Sequence, residues 1–199
     1  MSRTIFDTPF LSPILRRCSR FGLKLFGWRT EGTMPSVNKA VLIAAPHTSN
    51  WDLPVMLAVA FIFRVKLFWV GKHTLFRWPF GFLLRWMGGI PFNRSGTQNL
   101  VARTAEFFQQ KEKLILAIAP EGTRQKVRYW KTGFYYIAQQ AGVPIVMSFC
   151  DFSRKVAGVG PMFIPTGDLE SDMQKIQAFY AHFAGRNREQ TSLADIASK

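Results

Sequence analysis

The sequence predicts an α/β fold: a single domain with a mainly parallel or mixed sheet flanked by helices, and an N-terminal amphipathic helix. Three observations predict it. Short, continuous apolar runs such as residues 41–45 and 114–119 end at proline, as strands buried on both faces do. Segments of helical periodicity alternate with them, as parallel strands joined by crossover helices require. The 199 residues, 48% hydrophobic and 19% charged, suffice for one core and exclude a disordered chain.

The elements follow in order. Ser12 is expected to cap a helix over residues 12–26, with Pro13 in its first turn. Ile14, Leu15, Cys18, Phe21, Leu25 and Phe26 recur on one side; Arg16, Arg17, Arg20 and Lys24 fall on the other. Residues 41–45 are a strand, 51–63 a helix that tolerates Pro54 in its first turn, and 65–70 a strand. Residues 74–86 form an aromatic helix or pair of turns, interrupted by Pro79 and Gly81. A short strand at 90–92 precedes a helix over 97–111 and a buried strand over 114–119. A helix over 133–141 ends at Gly142. A strand at 143–151 turns at Ser153-Arg154-Lys155 and pairs with 159–164. A last helix spans 175–184, and the polar residues 186–199 are expected to fray. There is no internal repeat. Residues 1–30 read as an amphipathic, membrane-facing segment and 31–199 as the α/β domain.

Charge narrows the function. Lysine and arginine number 26 against 12 acidic residues, a net +14, in a chain with 19 Phe and 6 Trp. Nucleic acid would explain the charge, but no recognition helix or RNA-binding aromatic signature is present. An anionic membrane surface explains both the charge and the large apolar side chains. The longest uncharged apolar stretch, residues 53–63, is far short of the roughly 20 residues of a spanning helix. No signal-peptide core precedes it, and two distant cysteines, Cys18 and Cys150, suggest a reducing compartment. The expectation is a cytoplasmic protein attached peripherally to the inner face of a membrane.

Polar clusters follow the predicted strands. His47 and Asp52 flank the first strand-to-helix turn, where open α/β sheets bind ligands. Asp52 can hold one imidazole nitrogen and leave the other as a base; a structural histidine and a helix-capping aspartate would read the same. The loop Pro120-Glu121-Gly122-Thr123-Arg124 offers a tight turn, a hydroxyl and a guanidinium fork suited to phosphate. Arg94, in Asn93-Arg94-Ser95-Gly96, and Lys72 are further cations at strand ends. No Cys/His set has zinc spacing, and no nucleotide-binding glycine motif or serine-hydrolase elbow occurs, so neither a metal nor a cofactor is expected.

His47-x4-Asp52, then Lys72-x2-Leu75 through Gly88-Gly89-Ile90-Pro91-Phe92-Asn93-Arg94, then Pro120–Arg124, then Val143-Pro144-Ile145-Val146 resemble, in order and spacing, the glycerolipid acyltransferases. The nearest resemblance is to the 1-acylglycerol-3-phosphate (lysophosphatidate) acyltransferases, over residues 40–150. Asn93, Ala119, Gln125 and Met147 depart from the family's usual Asp, Phe, Ser and Pro. The resemblance implies transfer of a fatty acyl group from acyl-CoA or acyl carrier protein to a lysophospholipid hydroxyl in phospholipid biosynthesis. His47 would be the base, oriented by Asp52. Arg94, Glu121, Gly122, Thr123 and Arg124 would bind the acceptor phosphate, with Lys72 a further substrate-binding cation. Backbone N–H groups near His47 or Gly122 are candidate oxyanion donors, and the aromatic residues 76–87 a candidate lipid entrance. A different lysolipid acceptor, such as a lyso-ornithine lipid, or a non-catalytic membrane-surface protein are the competing readings.

Overall fold

A computed structural model describes residues 3–92 and 98–192. A seven-stranded sheet forms its centre, in the order β1-β7-β6-β2-β5-β3-β4. The strands are β1 (Arg29–Glu31), β2 (Lys39–Ala45), β3 (Leu67–Lys72), β4 (Gly89–Phe92), β5 (Leu114–Ile118), β6 (Ile145–Asp151) and β7 (Val156–Phe163). β6, β2, β5, β3 and β4 run parallel; β7 returns antiparallel to β6, and β1 lies parallel to β7 at the edge. The sheet is thus mixed, and five carboxyl ends share one edge.

The central strands are apolar throughout because both faces are covered. Val41, Ile43 and Ala45 of β2 join Leu114, Leu116, Ile145 and Met147 in one core cluster, while Ala40, Leu42, Ile115, Ala117 and Val146 point into the other. The first cluster is sealed by α4 (Gln98–Gln109), α5 (Gly133–Ala141) and α6 (Leu169–Tyr180), through Phe108, Phe134, Tyr135, Met173 and Ile176. The second lies under α2 (Asp52–Ile62) and the chain around α3 (Gly81–Trp86). α1 (Leu11–Leu25) packs on α2, with Leu23 beside Trp28, Val55 and Val59, yet buries none of its own residues fully.

Several expectations need correction. α1 starts at Leu11, not after Ser12. Phe10 occupies the cap with φ 64°, because the tight turn Ile5–Asp7, closed by Thr4 and Asp7, delivers the chain to the helix one residue earlier. The last helix runs over Leu169–Tyr180 because Asp168 accepts from the Ser171 backbone N–H at 3.1 Å, so His182 lies beyond it. Residues 74–86, by contrast, form the expected pair of turns, split at Pro79. β1 has no apolar signal and is not anticipated from the sequence. Residues 186–192 are not frayed but bonded into the domain, and 193–199 lie outside the described residues.

Candidate active site

β2 delivers its last residue, Ala45, to a loop that carries His47 and enters α2 at Asp52. The loop folds back on itself: the Ser49 backbone N–H donates to Asp52 Oδ2 at 2.9 Å. The same oxygen lies 2.9 Å from His47 Nδ1. The carboxylate therefore fixes Nδ1 as the protonated nitrogen and leaves Nε2 as the free lone pair. Asp52 is buried at the base of the pair, and His47 is partly open to the cleft beside it.

The neighbouring strand β5 supplies the second loop, Pro120–Arg124. Glu121 is 3% exposed and accepts the His47 backbone N–H at 3.0 Å through Oε1. Burial pushes its carboxyl above the usual range, against the lowering effect of that bond. Glu121, one of the candidate substrate-binding residues, thus lies beneath the His47 loop. Gly122 turns the chain at φ 64°, a conformation that disfavours other side chains, and sends Thr123 and Arg124 to the cleft. Of the candidate oxyanion donors near His47 and Gly122, two are engaged within the protein: the His47 N–H by Glu121, and the Gly122 N–H by the Ala119 carbonyl at 3.1 Å.

Lys72, exposed at the end of β3, lines the same cleft, as does Lys131, which no sequence motif marks. Arg94 lies outside the described residues. The structure thus brings together His47, Asp52, Lys72, Gly122, Thr123 and Arg124, all drawn from carboxyl ends of parallel strands. The cleft measures about 1850 Å³, well above the roughly 300–1,000 Å³ of a typical small-molecule site. Away from His47 its walls are apolar, formed by Leu42, Leu53, Met56, Trp69 and Leu84. The arrangement offers a base, a set of cations and a greasy channel in one space.

A third segment closes over both loops. Thr48, 2% exposed, accepts the Asn187 backbone N–H on Oγ1 at 3.1 Å and the Asn187 side-chain amide on its carbonyl at 2.9 Å. The Gln190 side-chain amide lies against the Arg124 and Thr48 carbonyls: with its nitrogen turned toward them it donates at 2.7 Å and 3.2 Å, and in the opposite orientation its oxygen accepts from Asn187 Nδ2 at 3.1 Å. Arg186 lies over the Trp51 ring, 5.2 Å from its centroid.

Residues 29–148 match the family model described as Acyltransferase. A 1-acyl-sn-glycerol-3-phosphate acyltransferase of Haemophilus influenzae is 30% identical over 136 residues, 63% of this chain and 55% of that protein. The enzyme of the same name from Escherichia coli is 32% identical over 133 residues, 61% of this chain and 52% of its own. The chain thus spans about half the length of these relatives. The crystal structure of the Thermotoga maritima 1-acyl-sn-glycerophosphate acyltransferase shares the fold, with a TM-score of 0.57 at 16% identity, covering 83% of this chain and 75% of that one. The matched region holds both site loops and the strands that carry them, and the chain belongs to the Acyltransferase family.

Proposed function

We propose that the protein transfers a fatty acyl group from an acyl thioester to the free hydroxyl of lysophosphatidate. The observation that carries this reading is the His47–Asp52 pair at 2.9 Å, opening on a cleft that also holds Lys72 and Arg124. His47 Nε2 takes the acceptor's hydroxyl proton while that oxygen attacks the thioester carbonyl carbon. The tetrahedral intermediate collapses, the C–S bond breaks, and the imidazolium returns the proton to the leaving thiolate. Asp52 holds the ring and stabilises its charged form. No covalent acyl-enzyme is needed. Arg124 and Lys72 hold the acceptor's phosphate so that its hydroxyl meets Nε2, a positioning effect worth several kcal/mol. The apolar channel takes the hydrocarbon chains.

The protein works at a membrane surface, with residues 1–30 as its membrane-facing segment, on the inner face of an anionic membrane. Among the described residues no helix is long and apolar enough to cross a bilayer. On α1 Ile14, Phe21 and Leu25 are exposed, as is Phe26 just past its end. A second apolar surface stands at the start of α3, where Trp78 is 93% exposed beside Phe80 and Phe82. Replacing Arg16, Arg17, Arg20 and Lys24 with Gln should weaken flotation with anionic vesicles, by about 1 kcal/mol per cation, and with neutral vesicles little. Unchanged flotation returns α1 to a purely structural role.

The test of the reaction is a panel of lysolipids offered with acyl-CoA and with acyl carrier protein donors, read by mass spectrometry. Phosphatidate from lysophosphatidate, absent with His47→Ala, is the expected product. Arg124→Lys should slow phosphate-bearing acceptors and spare those without phosphate, because an ammonium does not reproduce the guanidinium fork. Acylation of phosphate-free lysolipids alone would overturn the acceptor.

A further inference from the structure

The segment from Gly185 to Ser192 lies beyond the residues that the family model matches, yet it contacts both loops of the site. We propose that it is a positioning strap, in which Asn187 and Gln190 set the separation of the His47 loop from the Gly122–Arg124 loop. The proposal rests on His47 as the base of the reaction above.

Four features carry it. Thr48 directly follows His47, and its hydroxyl and carbonyl are both bonded to Asn187. The Gln190 amide lies between the Thr48 and Arg124 carbonyls, bridging them when its nitrogen faces them and bonding to the Asn187 amide when its oxygen does. One amide thus touches the residue after the base and a cation of the cleft. The strap is itself fixed at several points: Phe152 N–H donates to the Ala184 carbonyl at 3.1 Å, Gly185 N–H to Thr191 Oγ1 at 3.1 Å, and Val127 N–H to Ser192 Oγ at 2.9 Å. At Gly185 the backbone passes so close to Thr48 that an added Cβ would lie 2.4 Å from its Oγ1. Glycine is required there by proximity. Glu121 and Asp52 hold the His47 loop from within; the strap holds it from outside.

Loosening the strap leaves the His47–Asp52 pair and the phosphate cations chemically intact but lets the two loops drift apart. Small misplacement of a base is expensive in rate and nearly silent in binding. The double variant Asn187→Ala/Gln190→Ala should therefore lose roughly tenfold or more in kcat, with KM for donor and acceptor within about twofold of wild type. Thr48→Val, which removes the hydroxyl acceptor at constant shape, should behave the same way, and Thr48→Ser, which restores it, should recover wild-type kcat. A second readout needs no acyl transfer. Carbethoxylation of His47, followed by mass spectrometry, should run several-fold faster in the double variant and in Thr48→Val, while the exposed His73 and His182 react at unchanged rates. Wild-type His47 reactivity in folded Thr48→Val, or a loss confined to KM, overturns the strap. If wild type transfers no acyl group, the proposed reaction falls, and the labelling rates still decide the strap.

Discussion

Two sets of buried carboxylates lie in this domain, and they are treated very differently. Asp172, fully buried on α6, is saturated: Tyr135 Oη donates at 3.0 Å, Thr166 N–H at 2.7 Å, Thr166 Oγ1 at 2.9 Å and Lys175 Nζ at 2.9 Å. Burial alone would raise its pKa, but these donors outweigh it and hold the carboxyl below the usual range. At the site, Asp52 Oδ1 and Glu121 Oε2 are buried with no hydrogen-bond partner among the described residues. Burial dominates at Glu121 and raises its pKa. A carboxylate that gathers four donors anchors a fold. One with capacity to spare beside a partly open imidazole can answer the charge that the proposed reaction would place on the ring.

The comparison can be broken first at the imidazole. His47→Ala should lower acyl transfer by about 10³-fold or more, and Asp52→Asn by about 10²-fold or more, both with little change in thermal midpoint. Turnover near wild type in folded His47→Ala would show that the site carboxylates serve no base. Next comes the anchor. Asp172→Ala should cost about 2–4 kcal/mol in denaturant unfolding, because the Tyr135 and Thr166 donors are left unpaired. Lys175 is more than half exposed and adds little of this. Turnover of the folded fraction should stay at the wild-type value. A stability loss below about 0.5 kcal/mol would place Asp172 with ordinary surface residues.

The smallest effect sharpens the comparison through pH. Glu121 has a raised folded value, so the folded state keeps a proton that the unfolded chain has released. Its contribution to stability is therefore lost as pH rises from the ordinary glutamate value through the raised one. Asp172 has the opposite sign: its contribution is present above the ordinary aspartate value and is lost as pH falls through the depressed one. Glu121→Gln, which keeps an oxygen for the His47 N–H, should gain on wild type as pH rises across that window and then level off. Parallel stability curves for the two proteins would remove the contrast.

Local chemistry was legible in the sequence; distant chemistry was not. β2 and β5 announce themselves because burial on both faces leaves no polar positions in the run. The His47–Asp52 pair is readable because one turn closes it. Glu121 reads as a phosphate ligand because nothing in the sequence shows that β5 lies beside β2, which brings its carboxylate under His47 from 74 positions away. Asn187 meets Thr48 across 139 positions, through a polar segment that composition assigns to a fraying end. β1 is three polar or charged residues at a sheet edge, paired only by backbone, and leaves no pattern to read.

The strand order also sets a timetable for synthesis. β2 sits between β5 and β6, both of which leave the ribosome after it. At ~5–20 residues per second, a strand apolar on both faces waits roughly 4–15 s before β5 can flank it, and longer for β6. During that interval it is a ready template for pairing with other chains. Expression should therefore depend on translation speed and on chaperones that shield nascent strands more than the stability of the finished domain would suggest.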